Sequence, residues 1–394
     1  MMETKDMIDV VGVKEDCSGC HACFSVCPVQ AIEMSPDREG FLYPVISQDK
    51  CIHCDACKRA CPSLHKPENL PLEKAYGCYA KDEAEHITSS SGGFFAVLAR
   101  RVLAENGVVC GAAFDENQAV CHVLIDSTEA LVRLKETKYV QSKVGGVYRD
   151  IKAALKQKRK VLFSGTPCQV AGLKGYLGQE DENLICVDLI CHGVPSPEVW
   201  QRYLHEIAGD RKIEKVTFRN KTQGVSRITL DYHLDDGSIV KENYSDSLYM
   251  KGFIQNLYVR PSCFSCKYKG FKRCSDLTIG DFWSAREFHP QFFSENGVSA
   301  VIVHSKKGRV WLEKAAKELH IVRTAGKEVA CWNDNLLVCA VKNPKSEAFF
   351  ESLQDENIME LLDRLTQGYV KEPQQVQQPT LLSKLKKRIK KWIT

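Results

Sequence analysis

Two runs of cysteine constrain this chain before anything else does. Cys17, Cys20, Cys23 and Cys27 follow the spacing C-x2-C-x2-C-x3-C, trailed by Pro28; Cys51, Cys54, Cys57 and Cys61 repeat it, trailed by Pro62. Spacing this tight lets three thiolates from one loop reach three irons of a cubane. The fourth thiolate must come from elsewhere, and in this arrangement it serves the other cluster. Cys17, Cys20, Cys23 and Cys61 are therefore expected to hold one 4Fe-4S cluster, and Cys51, Cys54, Cys57 and Cys27 the second. Zinc is the alternative metal, but it needs four ligands, usually as two separated CxxC pairs. Two identical four-cysteine runs exceed that need.

The connector from 29 to 50 fits short strands with a turn near "PDREG". Residues 1–65 thus read as one small domain, and it resembles a bacterial two-cluster ferredoxin. It carries six basic and ten acidic residues. That excess is either a docking face for a basic redox partner protein or a plain solvated surface.

The chain has 19 cysteines in 394 residues. The N-terminus has acids where a signal peptide needs bases, and it lacks an apolar core region. No run approaches the roughly 18 apolar residues of a membrane span. A cytoplasmic chain is expected, with its cysteines as thiols or metal ligands. The net charge of +4 includes six basic residues among the last fourteen, "LLSKLKKRIKKWIT"; the remainder carries −2. Charge therefore gives no reason to expect a nucleic-acid partner. In the tail (381–394), apolar residues recur at helical spacing between the bases. It reads either as an interfacial helix on the inner face of an anionic membrane or as a solvated end.

"PSLHKPENLPLEK" is proline-rich, so residues 66–74 read as a linker. A strand is expected at "AYGCYAKD", then a helix within "TSSSGGFFAVLARRVLAENG". The loop Ser90, Ser91, Gly92, Gly93 enters that helix. Such a loop offers free N–H groups to a phosphate, or serves as an ordinary serine cap. "GVVCGAAF" and "AVCHVLI" form a hairpin around "DENQ". Lys138 and Lys143 follow; either could meet a phosphate or an anionic cofactor ring, and either could be a surface lysine.

Two units then repeat one design. "KRKVLFS", "GTPC" and "QVAGLKGYLG" read as strand, turn and helix, and so do "ENLICVDLI", "CHGVPS" and "PEVWQRYLHEIAG". Parallel strands deliver their C-terminal loops to one sheet edge, where α/β proteins build sites. Cys168 and Cys191 should meet there. Cys263 and Cys266 form a CxxC after Pro261, and the four make a third four-thiolate set; Cys274 is a fifth candidate that spacing leaves open. "LTIGDFW" reads as a buried strand. A cysteine nucleophile, Cys168, with His192 as its base is a further reading of the same turn. Beyond residue 300 a strand and helix are expected. A C-terminal helix, "EAFFESLQDENIMELLDRL", and a polar linker complete a segment from 346 to 380.

"SSSGGFF", "KYVQSK", "SGTPCQVAGLK", "LICHGVPSPEVW" and "CFSC" with "SDLTIGDFW", in that order, resemble the family of coenzyme F420 hydrogenase/dehydrogenase beta subunits, in the bacterial form fused to a ferredoxin. The resemblance spans roughly residues 75–300 plus the ferredoxin. It implies FAD and a third 4Fe-4S cluster, the latter on Cys168, Cys191, Cys263 and Cys266, with Cys274 outside the family pattern. It also assigns the "SSGG" turn to flavin. The expected architecture is a small α+β ferredoxin domain followed by a mixed α/β flavin- and cluster-binding domain over residues 75–345. The expected activity is that of an iron–sulfur flavoprotein oxidoreductase passing electrons between a redox partner protein and a small-molecule substrate at the flavin. The alternative is a non-catalytic electron-transfer component of a larger complex.

Overall fold

A computed structural model describes residues 7–368. The basic tail and most of the polar linker before it lie outside the described residues.

The first domain holds two small hairpins, β1 (Met7–Ile8) with β2 (Gly12–Val13) and β3 (Ile32–Pro36) with β4 (Leu42–Ile46), and two short helices, α1 (Ala22–Val26) and α2 (Ala56–Ala60). The turn expected at "PDREG" joins β3 to β4. Asp37 shapes it by accepting from the amides of Glu39 and Phe41, each at 3.0 Å. The linker that follows is pinned to the body: Leu70 bridges Arg273, and the Glu73 amide donates to the Val303 carbonyl at 2.8 Å.

The body is built on an eight-stranded mixed sheet. In chain order its elements are β5 (Lys74–Ala80), α3 (Glu83–Thr88), α4 (Phe94–Ala104), β6 (Val108–Phe114), β7 (Val120–Ile125), α5 (Val147–Lys156), β8 (Val161–Gly165), α6 (Pro167–Leu177), β9 (Leu184–Leu189) and α7 (Pro197–Ala208). A separate antiparallel sheet of β10 (Ile213–Asn220), β11 (Thr229–Leu234) and β12 (Ile239–Asn243) interrupts it, followed by α8 (Leu248–Ile254). Then come β13 (Leu277–Asp281), α9 (Ala285–Phe288), β14 (Ser299–Val303), α10 (Lys306–Ala315), β15 (Leu319–Thr324), α11 (Gly326–Ala330), α12 (Ser346–Ser352) and α13 (Ile358–Thr366).

The strand order is β15-β5-β14-β13-β9-β8-β6-β7, and the four strands β13, β9, β8 and β6 run parallel. These central strands are buried on both faces, which explains their unbroken apolar runs. Their C-terminal ends share one edge. Two separate cores result. One underlies the large sheet; the other joins the three-stranded sheet, α7, α8 and α13 around Trp200, Tyr232 and Tyr249. Phe41 and Tyr43 of the first domain belong to that second core. The single C-terminal helix expected from "EAFFESLQDENIMELLDRL" is instead two. Asn357 accepts from the amides of Met359 and Glu360, and so caps a new helix in mid-pattern.

Three cysteine-lined cavities and an adjoining cleft

The two cysteine runs fold alike. In each, the residue between the second and third cysteine, His21 or Asp55, takes a left-handed conformation (φ 62° and 55°) immediately before the short helix. That backbone costs roughly 1–2 kcal/mol in a non-glycine residue, and here it curls three cysteines around one space. Cys17, Cys20, Cys23 and Cys61 line one cavity; Cys51, Cys54, Cys57 and Cys27 line another. The runs thus exchange their fourth cysteines. The first, inner set is buried, whereas Cys54 of the outer set is exposed.

The inner cavity faces the body along α6. A Cβ on Gly172 would stand 2.7 Å from the Cys20 Cβ and 2.9 Å from its Sγ, and one on Gly175 would strike the Ala60 carbonyl. Glycine at these two places lets the helix press on the first domain. Arg149 of α5 adds to the contact by donating to the Phe24 and Ser25 carbonyls at 2.7 and 3.0 Å, which closes the end of α1.

The same α6 begins at a third cavity. Thr166 caps it in a reciprocal box with Gln169, Pro167 opens it, and Cys168 stands in its first turn. Cys168, Cys191, Cys263 and Cys266 all line this cavity, together with His192, Tyr268, Lys269 and Arg273. Cys274 is buried away from it in the core beneath α5 and α6. Burial pushes the Cys168 thiol up, and repulsion from the other three cysteines adds to the shift; the Cys263 thiol is raised to about 12, again chiefly by burial. Four buried thiolates are tolerable only around a cation that holds them deprotonated. Arg273, 2% exposed, lines the cavity with its Nε and one Nη lacking partners. Spare N–H donors suit a core of inorganic sulfides. Among the described residues no three ligating side chains converge tightly enough for a single ion. A cubane asks for less convergence, because each thiolate binds its own iron. These residues fit an iron–sulfur cluster. His192 has both ring nitrogens against asparagine oxygens, Asn335 Oδ1 at 3.1 Å and Asn256 Oδ1 at 2.5 Å. That is poor support for a base acting on Cys168.

Beside this cavity lies a large cleft, enclosing about 1060 Å³ including its mouth, at the C-terminal ends of β6, β8, β9 and β13. Val194 lines both spaces, and Thr166 lines the cleft with its Oγ1 3.1 Å from the Cys168 Sγ. The expected loop reaches the cleft through Ser90, Ser91 and Gly93. Ser91 (φ 52°) and Gly93 (φ 81°) are left-handed, and Gly93 precedes α4 directly. Gly92 faces the other way, its Cα pressed on the backbone of Cys78 and Ser299. Lys138 also lines the cleft, with its ammonium donating to the Lys135 and Arg133 carbonyls at 2.6 and 3.0 Å. Burial lowers its pKa to about 8. Lys143 is exposed and does not line the cleft.

Several cleft residues had no sequence signal. Arg219 of β10 forms a two-pronged pair with Asp281 of β13, at 2.7 and 3.1 Å. Lys221 donates to the Ser91 carbonyl and, at 2.6 Å, to that of Asn296, so it braces the serine loop. His122 is buried against the cleft. Its Nε2 donates to the Ser164 carbonyl at 3.1 Å, so its Nδ1 accepts from Ser142 Oγ at 2.8 Å. Burial lowers its pKa to about 4, so the ring is neutral.

Residues 158–327 match the family model for the C terminus of the coenzyme F420 hydrogenase/dehydrogenase beta subunit, and residues 16–64 match that for a 4Fe-4S dicluster domain. All four body cysteines, Arg219 and Asp281 fall inside the first match; the serine loop falls outside it. One of the subunits of the F(420)H(2) dehydrogenase of Methanosarcina mazei is 24% identical over 218 residues, 51% of this chain and 58% of that protein. An uncharacterized protein of Methanocaldococcus jannaschii is 26% identical over 216 residues, 47% of this chain and 59% of that protein. The chain therefore spans under two thirds of the length of these relatives. In the F420-reducing NiFe hydrogenase complex from Methanosarcina barkeri, one chain aligns over 76% of this one and 91% of its own length, at 15% identity and a TM-score of 0.44. With these motifs, cavities and family matches together, the chain belongs to the family of coenzyme F420 hydrogenase/dehydrogenase beta subunits and carries a 4Fe-4S dicluster domain ahead of the family's C-terminal domain.

Proposed function

We propose that this chain is an iron–sulfur flavoprotein oxidoreductase. It would hold three 4Fe-4S clusters, two in the dicluster domain and one on Cys168, Cys191, Cys263 and Cys266, and FAD in the cleft. The contiguity of the four spaces carries the reading. The outer cavity opens to solvent, the inner one abuts α6 at Gly172, Cys168 lies one helical turn before Gly172, and Thr166 links Cys168 to the cleft. When bound, the clusters handle electrons singly and the flavin converts them to pairs.

The protein's own share is binding and positioning. The left-handed serine loop turns its backbone N–H groups and the positive end of α4 toward a flavin phosphate. Lys138 adds a cation at the cleft wall, and the Arg219–Asp281 pair presents a fixed, oriented guanidinium for an anionic ring or substrate. Neutral His122 keeps an uncharged wall beside the reacting space. A redox partner protein exchanges electrons at the exposed outer cysteine set, and a small molecule reacts in the cleft. The matched Methanosarcina mazei relative is named as one component of a dehydrogenase, which favours a second form of the reading, in which a partner enzyme supplies the substrate site. Oxidation of a nicotinamide or of reduced F420 by this chain alone would decide between the two. Among the described residues no helix is long and apolar enough to cross a membrane; membrane contact is proposed for the basic tail only.

The test is metal and flavin content after anaerobic purification. About twelve irons and one flavin per chain are expected, and Cys168→Ser should hold nearer eight irons, because serine oxygen is a poor match for iron–sulfur chemistry. Eight irons in both forms, or no flavin, would overturn the proposal. Full iron in the variant with activity abolished would instead support the thiol mechanism.

A further inference from the structure

Arg260 stands between two cysteine sets. Its backbone belongs to the body cavity: its amide donates to the Val194 carbonyl at 3.0 Å, and its carbonyl accepts from the Cys263 amide at 2.9 Å. Its side chain runs the other way, into the dicluster domain. Nε donates to the Cys17 carbonyl at 2.8 Å, one Nη to Leu42 O at 3.0 Å, and the other to Gln141 Oε1 at 3.0 Å. The Nη on Leu42 also lies 3.7 Å from the Cys17 Sγ. The guanidinium is fully buried, 4.2 Å over the Tyr43 ring.

A buried cation needs a compensating anion. The hydrogen-bond partners of Arg260 are neutral oxygens and one cysteine sulfur, and the nearby Asp37 is already bound to Lys14 at 2.8 Å. Four thiolates outweigh the charge of an iron–sulfide core, so each ligated cluster is a net anion. The two anions that would flank Arg260 sit on Cys17 and on Cys263. We propose that Arg260 is a shared counter-cation that raises the reduction potentials of the inner dicluster site and of the body site relative to the outer site. The inference rests on the reading that the body cysteines hold a cluster.

The physical step is simple. An electron gained by one site is lost by its neighbour. Arg260 stabilises the more negative state through its charge and its N–H···S contact, two of the levers that set cluster potentials. Arginine stays protonated throughout, so no proton accompanies the transfer. The sequence offers a reason for the two-sided placement: Arg260 immediately precedes Pro261 and the CxxC, so forming the body site also aims the guanidinium at Cys17.

The test is a redox titration of the anaerobic full-length protein, followed by electron paramagnetic resonance, after iron analysis. Arg260→Gln should shift the electron distribution between the inner sites and the outer site at least tenfold toward the outer one, about 59 mV for a one-electron couple. Arg260→Lys, which keeps the charge but loses the fork, should move it less. Gln141→Glu sets a carboxylate beside an intact Arg260 and should act in the same direction as Arg260→Gln. It carries the test if Arg260→Gln loses iron. Unchanged potentials in Gln141→Glu, or an equal shift of all three sites, would overturn the proposal. Eight irons in the wild type would instead overturn the three-cluster reading, and the inner dicluster shift would still be measurable.

Discussion

Gly172 gives the sharpest mechanical test of how the dicluster domain meets the body. A Cβ there would lie 2.7 Å from the Cys20 Cβ and 2.9 Å from its Sγ. Ordinary van der Waals contact begins near 3.4 Å, so something must move by about half an ångström. Neither side yields easily: Gly172 is mid-helix, and Cys20 is held by a strained loop. Overpacking of this kind costs about 1–3 kcal/mol, which is roughly a 5- to 150-fold shift in an equilibrium. The cost falls on the inner cavity, so Gly172→Ala should release iron to a chelator faster by a factor in that range, with the outer set unaffected. Gly178→Ala is the control. Its φ is 71° and its new Cβ meets nothing within 4 Å, so it carries a backbone penalty of about 1 kcal/mol without touching the first domain. Chelator kinetics under anaerobic conditions read both. If Gly172→Ala released iron no faster than Gly178→Ala, α6 would not press on Cys20 as described.

Three further outcomes are expected. Ser90→Glu places an anion at the α4 N-terminus and should reduce flavin occupancy severalfold while iron content holds, measured by absorbance after gel filtration; full occupancy would remove the loop from the flavin site. Gly92 is unsuitable for this test, since any side chain there strikes the β5 backbone. The pKa of His122 is lowered to about 4, against roughly 6.5 in an unfolded chain. Protonation therefore favours unfolding, and stability should fall as pH drops from about 6.5 toward 4, by up to about 1.4 kcal/mol per unit. His122→Gln should flatten that window in denaturant titrations at stepped pH, and parallel curves would refute the assignment. For the tail, anionic vesicles should recover the full chain at low salt but not a form ending at Thr380; equal recovery would end the membrane proposal.

The parts legible in the sequence were those with short-range spacing. The cysteine runs, the repeated strand–turn–helix unit and the hairpin at "DENQ" each depend on neighbours within a few residues. Even the exchange of Cys27 and Cys61 follows from what a tight loop cannot supply. The cleft was less legible because its walls converge from distant strands. Arg219 and Asp281 are 62 residues apart, and neither sits in a pattern that marks it as a partner. Gly172 and Gly175 looked like weak points in a helix; their reason is a contact with residues 20 and 60. The three-stranded sheet of β10 to β12 left no mark among the apolar runs, since its outer face alternates with charge. The split at Asn357 was visible in principle as a cap, but the apolar period continues through it.

The unequal exposure of the two dicluster cavities gives the chain an order of failure. Oxygen and oxidants act first on accessible thiolates, and Cys54 is exposed while the four inner cysteines are shielded by the body. Damage in air would begin at the outer set and cut the chain off from its partner before reaching the interior. A fuse placed at the point of entry protects what lies behind it: the stranded interior could no longer be charged from outside, nor leak electrons back out to oxygen.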